Sequence, residues 1–354
     1  MIDPVLKIGP HVTAVPVVHG SGDFAWEVRR IMGAGDFDCV AVPLPESFQA
    51  EVEKGILALP QPGIVVQDDY TQPLGQWQDG GDGDDDDDGS ASYVPIDPCQ
   101  AVIAALRTAM GERLPRYFID QETSRFEVQS RLFPDAYALK KVSLEQWASA
   151  VLPHLAKPKS EQWENRICYM AQQLRELSVD YKRILFLVNV LDWPWVRQAF
   201  LSDSLSAPEN EVTQECESFG VTRDTHYFLL GEIPFITNLY ERARAELADD
   251  AQLSIDGIKE LLMAARRHYK LEYGNRARKV TPRTLSTCLK YIRNLTLIEH
   301  RMSPQLLTVI TAAKQVVGDG YALSVLEIAR EYDYMDYSPS VSYTHLTLPT
   351  IYPV

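Results

Sequence analysis

The stretch Arg183–Arg197, RILFLVNVLDWPWVR, decides the fold. Ile184–Val190 is an almost unbroken apolar run, as expected of a strand buried on both faces. It stops at Asp192-Trp193-Pro194-Trp195. Asp192 suits an N-cap and Pro194 the first turn of a helix. The reading is a central strand, a tight turn and a helix. In an open α/β fold that turn lies at the carboxyl edge of the sheet, where ligands bind.

The sequence on either side supports a parallel sheet. Val12–Val18 reads as a first strand, Phe24–Met32 as a helix capped by Ser21 or Asp23, and Cys39–Val42 as a second strand. Glu46–Leu57 is a second helix, with Phe48, Val52 and Ile56 at steps of four, and Ile64–Gln67 a third strand. This alternation with short links predicts βαβ units. The pattern resumes at Tyr93–Ile96, followed by a helix over Pro98–Met110 and a strand over Arg116–Ile119 that ends at Asp120. Ser143 caps a helix over Leu144–Leu155. In Glu161–Leu177, the residues Trp163, Ile167, Met170, Leu174 and Leu177 define a helix face that must pack on the core.

Beyond Phe200 the character changes. Ser202–Thr225 reads as polar loop and Tyr227–Leu230 as a short strand. Helices are predicted over Pro234–Leu247, Ser254–Leu271, Pro282–Glu299, Pro304–Val317 and Tyr321–Tyr332. The expected organisation is an α/β domain over 1–205, with a mostly parallel open sheet and flanking helices, and a mainly helical region over 206–337. Residues 68–92 are expected to be a disordered acidic loop. The last residues, 338–354, have no charged side chain unless His345 is protonated and resemble translated read-through of sequencing adapters, so the native chain is expected to continue past about Tyr337.

Charge is uneven along the 354 residues, whose formal net charge is −15. Seven Asp fall within Asp79–Asp88, while Lys259–Arg301 carries eleven Lys and Arg against three Glu. The Asp run lacks the alternation and fixed glycine of a calcium loop. The basic region is a candidate surface for nucleic acid or an acidic partner, although it has no aromatic interleaving or known module. The five cysteines are scattered with no CxxC, which argues against disulfides and zinc knuckles and for a reducing compartment, the cytoplasm. No apolar run is long enough for a membrane span, and no signal peptide is evident.

No phosphate-binding loop, GxGxxG, HExxH or GxSxG is present, and no cofactor or metal is expected. Polar residues gather instead at strand ends: His19, Glu46, Asp68, Asp69, Asp120 and Asp192. A His beside carboxylates at one edge could serve as a general base, whereas strand-to-helix turns select the same residue types for capping. Ser21, in Gly20-Ser21-Gly22, could help cradle an anion at a helix start. Trp193 and Trp195 are candidates for ligand or partner contact, or for packing helix on sheet.

Six segments together carry a family likeness: VVHGSGDFAWEVRRIM, DFDCVAVPLPESF, RYFID, LFPDAYALKKVSLEQW, ENRICYMAQQL and RILFLVNVLDWPWV. In order and local flavour, over roughly residues 10–200, they resemble the superfamily of erythromycin esterases, TraB/Tiki proteins and ChaN-like haem-binding proteins. The nearer likeness is to an uncharacterised bacterial branch encoded beside MoxR-type ATPases and von Willebrand A-domain proteins. That resemblance implies a His after the first strand, matched by His19. It implies a Glu-Gly on the second strand, where Val42-Pro43 stands and Glu46 follows later. It also implies a second His after a later strand, where LDWPW has none. The expected role is therefore a catalytically degenerate interaction or scaffold module, with an ATPase or A-domain protein as partner. The alternative is an esterase- or peptidase-like hydrolase using His19, Glu46 and Asp192.

Overall fold

The computed structural model describes residues 4–68, 91–127, 134, 136–202, 208–246, 256–299, 303–334 and 351–353. In chain order the elements are β1 (Lys7–Ile8), β2 (Val12–Val17), α1 (Gly22–Ala34), β3 (Cys39–Pro45), α2 (Gln49–Leu57), β4 (Gly63–Asp68), β5 (Ala91–Ile96), α3 (Ala101–Glu112) and β6 (Arg116–Asp120). They continue with α4 (Leu144–Val151), α5 (Glu161–Asp180), β7 (Ile184–Asn189), α6 (Trp193–Leu201), β8 (Cys216–Gly220), α7 (His226–Leu229) and α8 (Pro234–Ala245). The chain closes with α9 (Gly257–Tyr273), α10 (Pro282–Ile298), α11 (Leu306–Val316), α12 (Asp319–Ala329) and β9 (Ile351–Pro353).

The fold is α/β. The main sheet has the order β1-β2-β7-β3-β6, with β7 in the middle. β2, β7, β3 and β6 run parallel, and β1 turns back antiparallel on β2. Every residue of β2 and β3 and the first five of β7 are buried, which explains their continuous apolar character. Full burial of each large apolar side chain contributes about 1.5–3 kcal/mol, so the sheet needs no polar alternation to be specified. Helices α1, α2 and α3 pack as one group and α5 with α6 as another. On α5, Trp163, Ile167, Met170 and Leu174 are buried as the spacing predicts. Ser143 forms a reciprocal capping box with Gln146 at the start of α4.

Three expectations are corrected. The strand over Ile64–Gln67 does not continue the parallel sheet. As β4 it pairs antiparallel with β5 on one side and β8 on the other, in a second sheet of order β8-β4-β5-β9. The alternating burial of β5 is the mark of a half-exposed antiparallel strand. Asp68 and Ser92 are thereby strand residues, while the acidic run Asp79–Asp88 and Asp69 lie outside the described residues. The segment Ser202–Thr225, expected to be loop, contributes β8, a polar strand with no fully buried residue. Tyr227–Leu230, expected to be a strand, lies largely in α7, where the i,i+3 pair His226 and Leu229 is buried. Of the tail, residues 338–350 and 354 lie outside the described residues; Ile351–Pro353 pairs parallel with β5.

Between β8 and β9 the regular elements among the described residues are all helices. α9 packs on α12, α12 on α11 and α11 on α10, around a second apolar cluster that includes Leu261, Ala265, Val309, Tyr321 and Val325. Cys99 and Trp26 join this cluster from the α/β side. A seam therefore runs between the sheet with its helices and the helical region, and the chemistry concentrates at its edge.

Candidate functional site

β2, β3, β6 and β7 end together, and their carboxyl ends deliver His19, Glu46, Asp120 and Asp192 to one edge. The structure then separates these residues by what they touch. His19 is half-buried, and burial lowers its imidazole pKa, with Arg166 adding in the same direction and the Gln100 bond opposing. Gly20 N–H donates to Gln100 Oε1 at 3.0 Å, and His19 Nδ1 lies 3.3 Å from the same oxygen. An amide oxygen only accepts, so Nδ1 carries the proton and the free lone pair sits on Nε2. Gln100 heads α3 without capping it, because its side chain reaches across to the His19-Gly20 turn.

Asp120 is 2% exposed. It accepts a hydrogen bond from Gln121 N–H at 2.8 Å and is bridged by the Arg166 guanidinium through both Nε and Nη2. Arg166 also stacks on Phe126, with its charge 4.6 Å from the ring centroid. Asp192 occupies the N-cap position of α6 but does not cap it. Its Oδ1 accepts from Trp163 Nε1 at 2.7 Å. Arg166 is close enough to bear electrostatically on His19 and Asp192 as well as Asp120. Glu46 is exposed on a single 3-10 turn and shares no hydrogen bond or ion pair with His19 or Asp192. Asp68 lies on the second sheet and is also exposed.

The main chain of the Gly20-Ser21-Gly22 turn is taken up by a carboxyl group of the protein itself. Gly22 N–H, at the start of α1, donates to Glu232 Oε1 at 3.2 Å. Glu232 lies in the turn before α8, where Gly231 packs on Gly20 so closely that a Cβ at Gly20 would lie 2.8 Å from Gly231 Cα. Asp97 fixes that turn by accepting from Gly231 N–H at 2.9 Å and Cys99 N–H at 2.8 Å. Burial pushes Asp97 up to about 6 and Glu232 up to about 7. Around them, Tyr240 and Lys140 both donate to Asp23 Oδ1, at 2.7 and 2.6 Å, and Arg107 grips Glu241 through both carboxylate oxygens. Ser21 is buried at the N-cap position of α1, where its carbonyl accepts from Phe24 and Ala25, and its side chain makes no cap.

Comparison with family models, curated proteins and solved structures finds no match. What the edge can do is therefore judged from its own geometry. Among the described residues no hydrogen bond joins His19 to a carboxylate, and none joins it to a hydroxyl nucleophile. Trp193 is fully enclosed in the core, and Trp195 is half-buried, edge-on to Trp163 at 6.3 Å. Both pack α6 rather than line an open cleft. The seam beside Gly22, Cys99 and Tyr240 contains a cavity of about 20 Å³, enough for about one water.

Gln100, Arg166 and Glu232 are not strand-end residues, and Asp97 follows β5 of the second sheet rather than a strand of the main one. One sequence signal was available for Arg166: it stands three residues after Trp163 and four before Met170, on the apolar face of α5. A charged residue there must find a buried partner. Glu232 has no such local signal, since its contact spans 210 residues of sequence.

The basic region also takes its place. Lys259, Arg266, Arg267 and Lys270 on α9, and Arg283, Lys290 and Arg293 on α10, are all exposed. The helices that carry them are separated in the packing order by α12 and α11, which divides the charge into two sets.

Proposed function

We propose that the chain is a catalytically degenerate interaction module, consistent with the branch of the erythromycin esterase/TraB/ChaN-like superfamily that its segments resemble. The observation that carries this reading is the closed carboxyl edge. Glu232 occupies the α1 N-terminus, and the His19 imidazole is paired with a neutral amide. A general base needs an orienting partner and a reachable proton, and a nucleophile needs that base within hydrogen-bond range. Asp120 and Asp192 are held instead by Arg166 and Trp163.

The surface for a partner lies on the helical region. Leu297 and Ile298 at the end of α10 and Leu307 at the start of α11 are 56%, 72% and 71% exposed and flank one connection. Exposed apolar residues grouped in this way mark interaction surfaces. By the resemblance, the partner is a MoxR-type ATPase or a von Willebrand A-domain protein, and the setting is cytoplasmic. Among the described residues no helix is long and apolar enough to cross a membrane.

The decisive experiment pairs two measurements on the purified chain. Ester and peptide substrates should show no turnover that His19→Ala abolishes. Binding to a purified MoxR-type ATPase, followed by sedimentation velocity, should be weakened by Leu297→Glu with Leu307→Glu. Turnover lost on His19→Ala, with Glu46→Gln and Asp192→Asn also inactive, would establish the hydrolase reading instead.

A further inference from the structure

Away from the sheet edge, α9 and α12 bring three metal-ligating side chains together. His268 and Glu272 are one helical turn apart on α9 and share a face. Glu327 reaches them from α12, the helix on which α9 packs. His268 Nδ1 lies 3.5 Å from a Glu327 oxygen and 3.7 Å from a Glu272 oxygen. The three donor atoms all lie within 4.8 Å of one another.

Two features distinguish this group from an ordinary acidic patch. The Nδ1 atom is enclosed and has no hydrogen-bond partner, although two carboxylates face it. A protonated imidazole gripping either carboxylate would draw it in to about 2.7–2.9 Å. The observed separations are longer, and they match two ligands sharing an ion. With metal–ligand bonds of about 2.1 Å, tetrahedral donors stand roughly 3.4 Å apart. In addition, neither Glu272 nor Glu327 has any other cationic partner within ion-pair distance among the described residues. The two carboxylates converge without a Lys or Arg between them.

We infer that His268, Glu272 and Glu327 form a binding site for a divalent first-row transition-metal ion, with zinc the fitting probe. One imidazole nitrogen and two carboxylates suit zinc, manganese or cobalt. Magnesium and calcium prefer oxygen ligands alone. The site is part-exposed, so water completes the coordination. Because its ligands come from two helices, the ion acts as a clip between α9 and α12 and stabilises the helical region by mass action. The site is independent of the edge around His19, and it stands whether or not that edge is catalytic.

The test uses the full chain, stripped with EDTA and desalted, titrated with zinc chloride by calorimetry and followed by thermal melting. Wild type should bind one equivalent at this site and melt at a higher temperature with zinc. His268→Ala, and separately Glu272→Gln with Glu327→Gln, should weaken that binding at least about tenfold and abolish the zinc-dependent rise in melting temperature. All three side chains are at least 36% exposed, so the metal-free variants should melt like wild type, and Glu327→Gln alone serves if His268→Ala does not. Magnesium chloride should produce neither effect. The inference is overturned if wild type shows no zinc binding, or if the variants bind zinc as tightly as wild type. The second result would place the ion on cysteines or on other carboxylates.

Discussion

Asp120, buried, and Glu232, half-buried, are both acids at the carboxyl end of the central sheet, yet they are held in opposite ways. Asp120 meets a guanidinium, and Arg166 bridges both of its oxygens from within the α/β layer. Glu232 meets a main-chain N–H, with the acids Asp23 and Asp97 nearby and only Lys140 to offset them. The first arrangement keeps a charge buried by pairing it. The second favours the protonated form, which moves Glu232 into the neutral pH range. The sheet end is thus anchored by an ion pair, while the seam to the helical region rests on close backbone packing and acids that titrate.

The most severe way to break this contrast is Arg166→Met. It would leave Asp120 as an unpaired buried charge, at a cost of about 3–5 kcal/mol. Urea unfolding should show that loss, and adding Asp120→Asn should recover part of it by removing the charge. A loss below about 1 kcal/mol for Arg166→Met would mean that the pair is no anchor.

On the seam side, Gly20→Ala is the next largest perturbation. Gly20 has φ +71°, and its missing Cβ is what lets Gly231 approach. The substitution combines left-handed backbone strain with a clash against main chain that cannot rotate away, together about 2–3 kcal/mol. Gly33→Ala and Gly111→Ala are the controls. Both lie in helices, with nothing within 4 Å of an added Cβ, and should stabilise by roughly 0.5–1 kcal/mol. Equal melting temperatures for Gly20→Ala and these controls would show that the seam is loose.

The two sides also differ in how far they could be read from sequence. Buried parallel strands announce themselves as apolar runs, so β2, β3 and β7 are legible, as are α4 with its Ser143 cap and α5 with its apolar face. The second sheet is less so. β4 looks like another parallel strand because three of its residues are apolar and buried, and only its pairing with β5 and β8 reveals the antiparallel arrangement. β8 has no apolar pattern at all, because none of its side chains is fully buried. At the site, His19, Asp120 and Asp192 stand where strand ends place them. Which partner each would take is a long-range matter: Gln100 is 81 residues from His19, and Glu232 is 210 from Gly22. Local patterning carries no record of such pairings.

The pH dependence is the finest probe of the contrast. Asp97 and Glu232 have ordinary values of 3.8 and 4.5 and are pushed up to about 6 and about 7 by burial, with Glu241 acting on the first and Asp23 and Asp97 on the second. Between about pH 4 and pH 7 the folded chain keeps protons that the unfolded chain has released, so stability falls as pH rises through that window and levels off above it. His19 and His226 pull the other way. Burial lowers both, His226 to about 4, so the folded chain lacks protons that the unfolded chain binds below 6.5. Comparison with Glu232→Gln cancels that background. Relative to this variant, wild type should lose on the order of 1–2 kcal/mol between pH 5 and pH 8, after discounting for the solvent that reaches Glu232. A wild type and Glu232→Gln that stay parallel from pH 5 to pH 8 would mean that the seam carries its carboxylate charged, and the distinction between the two acids would fall.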